Sequence, residues 1–251
     1  ELVEAFIPAA ARKELHTKIL AAYSERSAPL EVRAEHAYRA DEPMRTLMTL
    51  ERMGDVAMTR GDPATAVLAF QRAVELARRE TLESGDTVMD TATVTFSRKL
   101  GLALAKTGEL AHADGVVREV LDLTNPYDSA RARMHLVLGT IASLRDRNRD
   151  AMRHYGQALE ICAGVEPEVE GALQVALGDL RLQSGDATAA SNAFRRALEV
   201  QTEMGASSLV RATSQLRLAH ALDCLLYPSD AAAHPLCLPP RGHRPTQNKT
   251  N

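Results

Sequence analysis

The chain has 251 residues, of which 45% are apolar and 4% aromatic, with no Trp and a formal net charge of −3. That apolar content can bury a core in one elongated domain or two compact ones. The mild charge excludes a nucleic-acid or anionic-membrane surface built on net electrostatics. Abundant Ala and Leu favour helices packed through small residues over a β-sandwich, which draws on Val, Ile, Tyr and Phe. Three cysteines, Cys162, Cys224 and Cys237, make no disulfide framework and point to a reducing, cytoplasmic compartment. No apolar run approaches the roughly 20 residues needed to span a bilayer. The chain opens mid-helix on ELVEAF, without initiator Met or signal peptide, as expected of a fragment.

Residues 1–42 read as a helical junction outside the pattern that follows. Leu15, His16, Ile19 and Leu20 share one helical face, a break falls at Ser27–Pro29, and a second helix carries Ala34, His36, Ala37 and Tyr38. His16 and His36 read as packing residues rather than ligands.

A repeat then takes over. Gly54, Gly101, Gly139 and Gly178 serve as anchors, each preceded by a large apolar residue: Met53, Leu100, Leu138, Leu177. Seven positions after each anchor stands Gly61, Gly108, Asp146 or Gly185, and twelve after it Ala66, Ala113, Ala151 or Ala190. Then come Phe70, Val117, Tyr155 or Phe194, and finally Ala73, Val120, Ala158 or Ala197. The physical content is a helix hairpin. The anchor admits a close neighbour, the turn residue ends the first helix, and small–large–small at spacings of four and three forms one face of the second helix. One hairpin cannot cover such a face, so hairpins must stack in series.

These residues resemble the tetratricopeptide repeat family. LERMGDVAMTRGDPATAVLAFQRAVELA (50–77) and LQVALGDLRLQSGDATAASNAFRRALEV (173–200) carry its Gly-Ala-aromatic-Ala skeleton. MHLVLGTIASLRDRNRDAMRHYGQALEI (134–161) has Tyr for Phe, and FSRKLGLALAKTGELAHADGVVREVLDL (96–123) has Val117 and Val120 at the last two positions. Anchors lie 47, 38 and 39 residues apart, longer than the family's usual period of about 34. Such spacing is similar to longer-helix variants in bacterial signalling ATPases. The resemblance implies an all-α, right-handed superhelical solenoid of stacked antiparallel helix hairpins, about four and a half repeats over 43–222.

The phrase PLEVRAEHAYRADEPMRTLMTLERMGDVAMTRGD with the preceding RKELHTKI is similar to the junction after the ATPase module of AAA/STAND-type signalling ATPases, and to the C-terminal region of large bacterial serine/threonine protein kinases. No Gly-rich phosphate loop, HRD or DFG lies in the chain, so the expectation is a non-enzymatic fragment without cofactor.

The last helix of the array is SLVRATSQLRLAHAL (208–222), left without a second helix. Residues 223–251 turn Pro-rich, and CLLYPSDAA (224–232) is similar to translated sequencing-adapter sequence, so this tail reads as disordered or artefactual. Cys224, His234, Cys237 and His243 match no zinc-module spacing. Cys162 reads as a small buried hydrophobe, and His135 as a packing residue. Glu166, Glu168 and Glu170 surround Pro167 at a helix start, where negative charge complements the macrodipole. The arginines Arg145, Arg147, Arg149, Arg195 and Arg196 alternate with Asp or sit on outer faces without aromatic neighbours, which argues against nucleic acid.

If the family geometry holds, first helices line a concave groove. That nominates Glu51, Asp55, Arg98, Lys106, Arg133, Thr140, Asp179 and Gln183 as partner-binding residues. The changing sign along the array suits an extended peptide of mixed charge. The function expected is a protein-interaction scaffold, the regulatory arm of a larger bacterial signalling protein, binding a partner or the upstream domains of its own chain. The alternatives are an effector-sensing region of an ATP-dependent transcription activator, and self-assembly through the unpaired last helix.

Overall fold

Helix start and stop signals recur through the chain. Pro43 and Pro167 each stand at the first helical position of their helix, where the missing N–H costs no bond. Asp62 and Asp186 follow the turn glycines, and their carboxylates accept from Thr65 N (3.1 Å) and Ala189 N (2.9 Å), each satisfying an orphan donor of the next helix. A computed structural model describes residues 7–23, 28–84, 87–124 and 128–226.

Within these residues lie α1 (Ala9–Ala22), α2 (Leu30–Arg39), α3 (Pro43–Thr59), α4 (Pro63–Ser84), α5 (Thr87–Thr107), α6 (Leu110–Leu121), α7 (Ser129–Leu144), α8 (Asn148–Cys162), α9 (Pro167–Gln183), α10 (Ala187–Glu203) and α11 (Ser208–Leu226). The fold is all-α, and no strand occurs among the described residues. No described helix is long and apolar enough to cross a membrane.

The chain divides into two compact units, Glu1–Arg145 and Asp146–Asn251. In the first, α1 to α7 pack each against the next, and α5 also meets α7 directly. In the second, α8 to α11 pack in the same serial way, and α9 also touches α11. Each unit is therefore a run of helical hairpins in which first helices meet one another across the second helix between them. The third predicted hairpin has α7 in the first unit and α8 in the second. α3, whose first residue is the expected start of the array, packs on α2 within the same unit, and α11 continues past the expected end at 222 to Leu226. Residues 227–251, with His234, Cys237 and His243, lie outside the described residues.

The repeat positions do what their chemistry demands. The twelve small and large residues of the second-helix face are at most 2% exposed, from Ala66, Phe70 and Ala73 through to Ala190, Phe194 and Ala197. A methyl group on Gly54 would collide with the Phe70 ring, one on Gly101 with Val117 Cγ2, and one on Gly178 with the Phe194 ring. The aromatic is thus a wedge seated on a bare stretch of backbone. All four predicted turn residues, Gly61, Gly108, Asp146 and Gly185, have φ between 57° and 88°. After Gly61 and Gly185 the chain returns on itself, Asp62 N donating to Ala57 O and Asp186 N to Arg181 O, both at 2.9 Å, closures that need the left-handed residue. The 47-residue interval between the first two anchors has a local cause. α4 and α5 run to 22 and 21 residues, against 17 each for α9 and α10.

The opening helices add polar contacts to an apolar joint. Leu20, Ala37 and Ala40 pack together between α1 and α2, and beside them His16 Nδ1 lies 2.8 Å from His36 Nδ1. One ring donates and the other accepts, so the two packing histidines read from the sequence also hold each other.

Candidate functional site

The residues nominated for a groove sit on first helices, and the structure sorts them into groups. Glu51 and Asp55 stand one turn apart on α3. Both carboxylates converge on Lys99 of α5, whose Nζ is 2.8 Å from Glu51 Oε1 and 2.7 Å from Asp55 Oδ2. The Lys99 side chain is only 16% exposed, and its ammonium lies 5.7 Å from the centre of the Phe70 ring, within cation–π range. The wedge that fills Gly54 thus also carries the cation that joins α3 to α5.

Asp179 on α9 repeats the relation in the second unit. Arg217 Nε on α11 reaches Asp179 Oδ1 at 2.9 Å and Oδ2 at 3.1 Å. In both places an acid one residue after an anchor Gly meets a cation two residues before the next anchor position, Gly101 or Ala219. Burial pushes the Asp179 carboxyl above its ordinary value, and the charge and hydrogen bond of Arg217 only partly oppose it.

The other nominees differ. Arg98, Arg133 and Thr140 are half-buried on α5 and α7, with the Thr140 hydroxyl donating to Leu136 O at 2.9 Å. Lys106 is exposed in the last turn of α5 and makes no ion pair among the described residues. Gln183 is exposed at the end of α9. The structure therefore brings Glu51, Asp55, Arg98, Lys106, Arg133 and Thr140 onto first helices that follow one another within one compact unit. Asp179 and Gln183 belong to the other.

Sequence reasoning missed Lys99 and Arg217. The signal was present in the repeat itself: an acid after one anchor and a base before the next, read across hairpins rather than within them.

The carboxylates around Pro167 do stand at a helix start, with Glu168 and Glu170 in the first turn of α9, but two of them depart from a simple capping role. Glu166 forms no side-chain cap on α9. Glu170 is buried and accepts from Gly164 N at 3.1 Å and from Arg196 Nε and a second guanidinium nitrogen at 3.0 and 2.8 Å. Burial works to raise the Glu170 carboxyl, yet the Gly164 and Arg196 bonds together hold it below its ordinary value. Glu170 thus fastens the α8–α9 turn to α10, a structural clamp. Cys162 is fully buried, and burial first, with the Glu170 charge second, pushes its thiol up to about 11, leaving it without thiolate reactivity at neutral pH. On α11 the large apolar residues Leu209, Leu216 and Leu226 are each more than 70% exposed.

No family model matches the chain, and no curated protein sequence matches it. Among solved structures the chain is similar to the crystal structure of BtubC (BKLC) from P. vanneervenii, with a TM-score of 0.56 and 16% identity. The likeness covers 97% of this chain and 100% of that one. At this identity it speaks to the fold alone.

Proposed function

We propose that the chain is a tetratricopeptide-type array whose first-helix face binds an extended segment of a partner protein, as the regulatory arm of a larger bacterial signalling protein. One observation carries this reading. α3, α5 and α7 follow one another in a single unit and present polar side chains from Glu51 to Thr140 on first helices, while the apolar repeat residues are spent on packing. With the apolar repeat residues packed internally, the polar positions of the first helices, beside the exposed Met44 and Met48 of α3, are left for recognition.

The ion pairs sharpen the partner's chemistry. Glu51 and Asp55 share Lys99, so one of their two negative charges is answered within the chain and one remains. Lys106 contributes an exposed positive charge at the end of α5. The face therefore suits a segment that is acidic at the end of α5 and carries a positive charge where it meets α3.

Charge reversal tests the reading. Lys106→Glu, alone and with Arg133→Glu, should lower recovery of the partner while the thermal melt of the single variant stays unchanged. Undiminished recovery by a folded double variant would count against a binding role for this face.

A further inference from the structure

The first unit also holds a cleft that α3 shares with α2 and α4. Its volume is about 640 Å³, within the range of specific ligand sites, roughly 300–1,000 Å³. None of the first-helix residues proposed above lines it. Its rim carries Glu35, Tyr38 and Arg39 from α2, and Arg72, Glu75 and Arg79 from α4.

Two of the three arginines are held in place. Arg39 Nε bonds Glu35 Oε1 at 2.6 Å. Arg79 bonds Glu80 Oε1 at 2.8 Å, donates to the Tyr38 hydroxyl at 3.2 Å, and lies 5.6 Å over the Tyr38 ring. Arg72 is different: it is exposed and makes no hydrogen bond or ion pair among the described residues. Glu75, three residues on and therefore on the same helix face, accepts only from Gln71 Nε2 at 3.2 Å. The cleft thus offers one guanidinium and one carboxylate side by side that are not spent on each other. With Glu80 included, three arginines face three carboxylates. The site has no net field to attract a polyanion.

We propose that this cleft binds a peptide segment of mixed charge, with a carboxylate of the ligand forked by Arg72 and an ammonium or guanidinium set against Glu75. The arginine fork suits a planar carboxylate. Tyr38, braced by Arg79, supplies an amphipathic wall against which the peptide backbone lies.

The test is a fluorescence-anisotropy titration of the full chain with three probes: a capped peptide with Glu and Lys separated by two glycines, hexaglutamate, and inorganic phosphate as competitor. The mixed peptide should bind at least about tenfold more tightly than hexaglutamate, and phosphate should fail to displace it. Arg72→Glu should weaken the mixed peptide about tenfold or more, and the double reversal Arg72→Glu with Glu75→Arg should recover most of that loss, since the paired charges are restored in exchanged positions. Arg195→Glu, on α10 of the other unit, should leave the affinity unchanged. No binding of the mixed peptide at millimolar concentration, an unaltered affinity in folded Arg72→Glu, or tighter binding of hexaglutamate that is itself lost in Arg72→Glu would each overturn the proposal.

Discussion

Lys99 and Asp55, 44 residues apart in sequence, meet at 2.7 Å and join two first helices across the hairpin between them. Because Lys99 also reaches Glu51 and covers the Phe70 ring, its removal leaves two carboxylates facing each other without a cation. Lys99→Met should destabilise the first unit by about 1 kcal/mol, above the usual worth of an exposed pair. Equilibrium urea unfolding measures this. Asp55→Asn should cost less, because Glu51 keeps the ammonium partnered.

The anchor glycines should tolerate nothing larger. A Cβ at Gly178 falls 2.7 Å from Phe194 Cδ1, so Gly178→Ala must shift a ring that is wholly buried. A loss of about 1–3 kcal/mol is expected. The second-site change Phe194→Leu should recover part of it, because the smaller side chain leaves room for the methyl. Calorimetric melts of the single and double variants report the difference.

Ser97 on α5 is completely buried, and its hydroxyl has no hydrogen-bond partner among the described residues. A buried polar group without a partner costs its desolvation. Ser97→Ala should therefore stabilise the chain by about 1 kcal/mol, one of the few core substitutions here with that sign. A lower urea midpoint for the variant would contradict it.

Two carboxylates of the second unit respond to acid in opposite directions. Glu170 is held below its ordinary value in the folded chain. Its stabilising contribution is present above the unfolded pKa and is lost as pH falls through the folded one. Asp179 is raised by burial, so its relative contribution is present below the unfolded pKa and is lost as pH rises through the folded value. Glu170→Gln should flatten the acid-side loss of stability, and Asp179→Asn should steepen it. Urea midpoints between pH 3 and pH 7 read both slopes.

The hairpin code was legible because it is local. Small residues at spacings of four and three, a turn residue seven after the anchor, and Pro or Asp at a helix start all act within one or two turns of their own position. Gly61, Gly185, Phe70 and Phe194 could each be assigned from their neighbours. The ion pairs were not legible in the same way. Whether Lys99 faces Asp55 depends on the length of α4, 22 residues, and on the angle at which α5 returns. Glu170 shows the same limit. Its place near a helix start suggested a role in the macrodipole, but the fold brings Arg196 to it from 26 residues away. The division of the chain at Arg145 and Asp146 also escaped a repeat reading, since the register continues through it without a break. The nominated groove residues were legible only as positions: the pattern placed Arg98, Lys106 and Arg133 on first helices but could not say which acids were already paired.

The central claim is that the first-helix face of α3, α5 and α7 recognises a partner protein. The most direct measurement is quantitative affinity capture on the wild-type chain and on Lys106→Glu, with the captured protein then purified and its affinity for both chains measured. One partner is expected, bound through a segment acidic at the end of α5, whose affinity falls about tenfold or more in the variant. Equal affinity for the wild-type chain and the folded variant would contradict it.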